Sequence, residues 1–207
     1  TGSRGFGSLL SGTDLFLIGE LGWKWSIFGE PIADEPAYPG RIGIGGWFHD
    51  GTFDRFDGNS QNGAGGLYVV FGQQLLREFD DETGTQGLGM FAQYGYANPE
   101  VSAMTQHFGT GVAWTGLIPG RDADLLGIGI SIVQLSDRPG SGFTARYETA
   151  TELFYQAQLS HQASLVFDLQ HIANPGGQGT KDALVGTMRF VLAGSLFDLL
   201  SDADIDF

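Results

Sequence analysis

The sequence predicts an all-β protein, a transmembrane antiparallel up-and-down β-barrel with about nine or ten strands in this chain. Three observations carry that expectation. Glycine is frequent, at 34 of 207 residues, and aromatics make up 13%, while only 16% of residues are charged. No long helical periodicity accompanies them, and that balance favours strands and tight turns. Nine segments read as strands, the clearest alternating with a period of two, and many reach ten residues or more. About 9–11 residues on a tilted strand cross a bilayer, whereas strands of soluble proteins are usually about 5–6 long. In the clearest segments one parity is apolar and the other polar or small, with aromatics collecting towards strand ends, as in a lipid-facing band between interfacial girdles.

In order, the segments are 15–28, 40–49, 66–77, 86–97, 105–118, 124–136, 146–159, 163–173 and 182–193. Turn chemistry separates them: EPAYPG (35–40), DGNSQNGAGG (57–66), IPGRDAD (118–124), DRPGSG (137–142) and NPGGQGTKD (174–182). In the first segment Leu17, Leu21, Trp23, Trp25 and Ile27 oppose Glu20, Lys24 and Ser26. In the fourth, Leu88, Met90, Ala92, Tyr94 and Tyr96 oppose Gly87, Gly89, Phe91 and Gln93. In the sixth, Leu126, Ile128, Ile130 and Ile132 oppose Gly127, Gly129 and Ser131. The seventh, RYETATELFYQAQLS (146–160), sets Arg146, Glu148, Glu152, Gln156 and Gln158 against Tyr147, Leu153, Tyr155 and Leu159. A slip of one residue would exchange these faces and place carboxylates in lipid, at a few kcal/mol each, so its register is strongly specified. A soluble sandwich or barrel also alternates, and alternation by itself does not say which face is wet.

Composition excludes several classes. The net charge is −14 and the pI about 4.3. Nucleic acid and a polybasic membrane anchor both need the opposite sign. There is no cysteine, so disulfides, thiolate metal sites and thiol catalysis fall together, which suits a protein of an outer membrane. No window is long and apolar enough for a membrane helix. The start, TGSRGFGSLL, lacks the features of a signal peptide, so the chain is expected to be mature or a fragment.

Catalytic and metal readings are weak. Glu148 and Glu152 share a face, but four residues of strand span about 13 Å, beyond the roughly 5–9.5 Å of glycosidase carboxylates. Either could instead pair with Asp168 on the next strand. IGIGG (42–46) and GIGIS (127–131) lack the lysine and following helix of a phosphate loop; close packing or room beside the strand explains them better. His49, His107, His161 and His171 have no metal spacing and read as hydrogen-bonding residues at a rim or on the polar side. The acidic groups 80–82 and 202–206 read as solvated charge rather than calcium sites. No cofactor is expected.

If the last strand ends on the periplasmic side, connections 29–39, 78–85, 119–123 and 160–162 are periplasmic, and 50–65, 98–104, 137–145 and 174–181 extracellular. The shortest and the longest then fall where barrels place short turns and long loops, while 29–39 and 98–104 fit less well.

The runs GGWFHDGTFD (45–54), GGLYVVFGQQLLRE (65–78), QGLGMFAQYGYANPE (86–100) and QHFGTGVAWTGLIPGRDADLLGIGIS (106–131) follow one another with YETATELFYQAQLS (147–160), DLQHIANPGG (168–177) and DALVGTMRFVLAG (182–194). Together they resemble the carbohydrate-selective porins, the OprB-type outer-membrane porin family, over about residues 40–194. The resemblance implies a barrel of about 16 strands, usually a homotrimer, passing small sugars through the outer membrane of a Gram-negative type of envelope. Nine strands are fewer than that, so residues 1–207 are expected to form one barrel domain incomplete on its N-terminal side, or a shortened relative. Family members commonly end on an aromatic of the last strand; here the acidic segment 194–207 follows it. Within it SLFDLLSD is expected as a short capped turn or part of one more strand, and Phe207 suits an assembly signal.

Sugar passage asks for polar groups facing hydroxyls and aromatic surface facing C–H. The candidates are Glu20, Lys24, Arg41, His49, Gln93, Arg146, Glu148, Glu152, Asp168, Gln170 and Arg189, with Trp47 as the aromatic platform. An interfacial girdle is the other reading of Trp47, and the alternation around Arg189 is blurred. Three functions remain open: a sugar-selective porin, a general cation-biased porin, and a soluble all-β carbohydrate-binding module.

Overall fold

Nine strands form in the computed structural model, which describes residues 14–27, 38–78 and 85–193. They are β1 (Phe16–Ser26), β2 (Pro39–Asp54), β3 (Ser60–Gln74), β4 (Gly87–Ala97), β5 (Met104–Thr115), β6 (Leu125–Leu135), β7 (Tyr147–Ser160), β8 (Ala163–Ala173) and β9 (Ala183–Leu192). Each pairs antiparallel with the next, in one sheet whose spatial order is its sequence order. The sheet is not closed: β1 and β9 stand at its two edges. Strand lengths run from 10 residues in β9 to 16 in β2. Among the described residues only a single 3-10 turn, Pro175–Gly177, is helical, and no helix is long and apolar enough to cross a membrane. The expectations for 1–13, 28–37, 79–84 and 194–207 lie outside the described residues.

One expected loop is corrected. Segment 50–65 is mostly strand, because β2 continues to Asp54, β3 begins at Ser60, and only 55–59 turn. A bulge between His49 and Thr52 absorbs the irregularity. Beyond it Thr52 Oγ1 donates to Asn62 Oδ1 across the hairpin at 2.9 Å. The polar, glycine-rich composition resembles a turn, yet it pairs as well as any strand when both its partners are backbone. The connections of 27–38 and 75–86 are then no shorter than 136–146, so loop length does not orient the sheet.

Other turns form as their chemistry dictates. At 118–121 the Arg121 amide donates to the Ile118 carbonyl at 2.9 Å. Pro119 supplies the fixed φ of the second position, and Gly120, at φ 75°, the positive φ of the third. Between β7 and β8 only His161 and Gln162 intervene, and the Ser160 hydroxyl accepts from the Gln162 and Ala163 amides.

Directly opposed residues of antiparallel strands share a face, so the register sorts the sheet into two walls. One carries Leu21, Ile44, Leu67, Tyr94, Phe108, Ile128, Leu153, Leu169 and Met188, all exposed. Leu21 is 85% and Met188 68% exposed. The other wall carries the charged residues, glycines and a few aromatics. Among the described residues, the buried hydrophobics are only Ala64, Leu135, Ala157 and Val166, and no large side chain is fully buried. A sandwich fills the space between two sheets with interdigitated side chains; this single layer has no such core.

Candidate functional site

The polar wall is built by cross-strand rows. One runs Lys24, Arg41, Gly72, Phe91, Gly111, Gly129, Glu152, Gln170, each residue directly opposite the next from β1 to β8. A second runs Glu20, Gly45, Tyr68, Gly95, His107, Val133, Glu148 from β1 to β7. Between them lies a row of mostly small residues, including Gly22, Gly43, Gly109, Ser131 and Ala150, with Val70 and Gln93 among them.

Glycine placement makes the wall possible. Trp47 stands opposite Gly66, Tyr68 opposite Gly45, Phe91 opposite Gly111, Gln93 opposite Gly109 and Phe154 opposite Gly127. In each pair a Cβ on the glycine would run into the large side chain, as at Gly109, where it would lie 3.0 Å from Gln93 Nε2. The large groups therefore lie down over bare backbone instead of standing into the space in front of the sheet.

Eleven of the twelve sequence-predicted residues share this wall: Glu20, Lys24, Arg41, Trp47, His49, Gln93, Glu148, Glu152, Asp168, Gln170 and Arg189. Arg146 stands apart. It lies one residue before β7, its carbonyl accepts from the Leu135 amide at 2.9 Å, and its guanidinium sits over the Tyr147 ring at 5.5 Å. Trp47 approaches Phe16 at 6.2 Å between ring centroids, and His49 lies edge-on to Phe53 at 5.2 Å. The register resolves Arg189: it faces Val166 across β8–β9, on the wall opposite Leu184, Met188 and Phe190.

The acidic part of the wall is tied down. Gln170 donates to Glu152 at 2.9 Å. Asp168 is buried, accepts from Thr187 and lies 3.6 Å from Arg189. Glu148 accepts from the Gly176 amide in the following loop. These donors and the Arg189 counter-charge hold the three carboxylates as fixed acceptors. Among the described residues no group of histidines and carboxylates could hold a metal.

The sequence reading left Tyr68, Phe91, Phe154 and Thr187 out of its candidates, yet they face the same way, as does His107, which it read only as a hydrogen-bonding residue at a rim or on the polar side. His107 meets the Ser131 hydroxyl at 2.9 Å. Their parity was readable within each strand, but only cross-strand register joins them to the charged residues. His171 goes the other way. It shares the apolar wall with Leu169 near the rim, 3.6 Å from Asp182.

At the rim after β5, Asp124 forms a latch. Its carboxylate accepts from the Tyr155 hydroxyl, from Arg121 Nε at 2.7 Å and from the Gln158 amide at 2.8 Å. Burial alone would raise its pKa; the hydrogen bonds from Tyr155, Arg121 and Gln158 outweigh this and hold it below the usual carboxylate range. At the opposite rim Arg55 and Arg138 hold Glu100 at 2.8 and 2.9 Å. The Asn59 amide, with Arg55, keeps the Asp57 carboxyl below its ordinary range.

A continuous meander of long strands, apolar on one wall and polar on the other, is the wall of an up-and-down β-barrel of the transmembrane kind. The chain belongs to the carbohydrate-selective porin, OprB family, whose model matches residues 1–192. Its fold is similar to the high-pH structure of Pseudomonas putida OprB, with TM-score 0.73 and 20% identity over 86% of this chain and 48% of that one. The low-pH structure of the same protein is matched at TM-score 0.48 and 18% identity, over 83% of this chain and 54% of that one. The chain thus spans about half the length of these solved relatives. No curated protein sequence matches it.

Proposed function

We propose that this chain forms part of an outer-membrane porin of a Gram-negative bacterium, through which carbohydrates and other small solutes diffuse passively. One observation carries the reading: the wall that holds eleven candidate polar and aromatic residues lies opposite a wall of exposed large hydrophobics. A contiguous wall of exposed large hydrophobics spanning all nine strands needs lipid or a neighbouring subunit against it. The polar wall then faces a water-filled lumen. Transport down a gradient needs no bond-making, so the protein is read as a channel and not an enzyme, with no cofactor. A homotrimer fits the same apolar wall.

Sugar preference rests on hydrogen-bonding groups, Glu152 with Gln170 and Asp168 with Arg189, with Phe154 directly across from Asp168, and on Trp47 laid over Gly66 towards the other edge of the sheet. The acidic residues Glu148, Glu152 and Asp168 also favour a second reading, a general porin with cation bias and no sugar specificity. A soluble carbohydrate-binding module would leave the apolar wall in water.

Conductance of the native-length protein in planar bilayers separates these. Stable channels whose current falls as millimolar glucose or maltose is added support sugar selectivity. Channels indifferent to sugar support the general porin, and correctly folded protein that forms no channel rules out both.

A further inference from the structure

Lys24 and Arg41 face each other directly across β1 and β2 on the polar wall. Like charges in that position destabilise a sheet, so folding does not explain the pair. Nor does ion pairing. Among the described residues no carboxylate lies within 4.0 Å of either cation, whereas Arg55, Arg121, Arg138 and Arg189 each have one. Glu20, four residues along β1, leans over Gly43, its Oε1 3.0 Å from where a Cβ would stand. The remaining carboxylates of this wall lie away from the pair, Asp54 at the far end of β2 and Glu148, Glu152 and Asp168 on β7 and β8.

The space in front of the pair is open. A cavity of about 750 Å³ is lined by Lys24, Arg41, Gly72, Gln74, Gly89 and Phe91 among others. That lies within the roughly 300–1,000 Å³ of small-molecule sites. Arg41 Nε lies 3.7 Å from the position of a Cβ on Gly72, so the guanidinium rests over glycine. Phe91 follows Gly72 in the same cross-strand row. Two strand spacings, about 10 Å, separate Arg41 from Phe91, which is the reach of one substituted pyranose.

We infer that Lys24 and Arg41 form a binding site for the oxyanion of an acidic monosaccharide, a carboxylate or phosphate, whose ring rests towards Phe91. Arginine offers a planar fork to such an oxyanion and lysine a point charge. In a lumen whose other charged surface is largely acidic, the pair is a local foothold for an anionic solute. This site rests on the pore reading and names a substrate class for it.

The test measures block of single-channel current at low ionic strength, where exposed charges are least screened, using the native-length protein. Glucose, glucuronate, glucose 6-phosphate and inorganic phosphate are compared. Glucuronate and glucose 6-phosphate are expected to half-block at concentrations about tenfold below glucose, as one retained charge-assisted contact would give. Inorganic phosphate alone should block more weakly than glucose 6-phosphate. The Lys24→Gln/Arg41→Gln variant should bring the ratio of acidic to neutral sugar close to one, while Lys24→Arg/Arg41→Lys, which keeps both charges, should retain it. Wild-type channels that do not distinguish glucuronate from glucose, or a ratio that survives loss of both charges, would overturn the site and leave the pore reading standing. Absence of channels from folded protein would overturn the pore reading and the site with it.

Discussion

Arg55 Nη2 lies 2.8 Å from Glu100 Oε2. Arg138 Nη2 holds the other oxygen of that carboxylate at 2.9 Å. One side chain thus joins the β2–β3 turn, the β4–β5 connection and the β6–β7 loop. The Phe56 amide donating to the Glu100 carbonyl at 3.2 Å adds a backbone tie. Glu100→Ala is expected to free all three segments. Its effect on global stability should be modest, about 1 kcal/mol, because the groups are partly exposed and share one network. Its effect on local opening should be larger. Trypsin cleavage after Arg55, in the β2–β3 turn of the folded, membrane-embedded protein, should rise several-fold, and an unchanged rate would show that the loops are held by other contacts.

The Asp124 latch predicts a pH dependence with a defined sign. A carboxyl whose folded pKa is depressed stabilises the protein above the unfolded value, near about 4, and loses that contribution as pH falls through the folded value. Asp124→Asn keeps the shape and removes the charge. At pH 7 it should cost about 2–3 kcal/mol, since donors remain that sought a carboxylate. The difference between wild type and variant should shrink as pH falls below about 4. Unfolding followed at pH 7 and at pH 3 measures both; a constant difference would mean that Asp124 acts through packing.

Glycines on the polar wall are not equivalent. A Cβ on Gly111 would lie 2.7 Å from the Ile128 carbonyl oxygen and 2.7 Å from the Phe91 ring. At Gly95, on the same wall, it would meet nothing within 4 Å. Gly111→Ala should destabilise by about 1–3 kcal/mol, as overpacking does. Gly95→Ala should be neutral or slightly stabilising, because alanine loses less backbone freedom on folding. Denaturant titration of the two variants decides this, and equal effects would contradict the packing described for the wall.

On the proposed pore reading, removing acid from the polar wall should change ion selectivity. Glu152→Gln keeps a hydrogen-bonding group opposite Gly129 and deletes one charge. In a salt gradient its reversal potential should move towards anion preference relative to wild type. No movement would place Glu152 outside the conduction path.

Much of this architecture was legible in the sequence, for identifiable reasons. All nine strands were, because each is long and most alternate, and Pro119–Gly120 announces its turn by φ preference alone. The hairpin extension around Thr52 and Asn62 was not, since glycine, asparagine and serine signal turns whether or not backbone pairing continues through them. The charged residues of the wall were legible from parity within a strand. The aromatics lying over glycine were not, because that relation exists only between strands. Arg146 sits differently from the other candidates for a related reason. Parity assigned it to the polar wall, but it precedes the first residue of β7 and turns to the Tyr147 ring.

The central claim is that the wall bearing Glu152 faces water and the wall bearing Leu153 does not. The chain has no cysteine, so single substitutions report cleanly. Cysteines at Ser131, Glu152 and Gln170, and at Ile128, Leu153 and Leu169, would be placed in the membrane-embedded protein and exposed to a water-soluble maleimide. Rapid labelling of the first three and protection of the second three is the predicted result. Equal labelling of both sets, or the reverse pattern, would contradict the account.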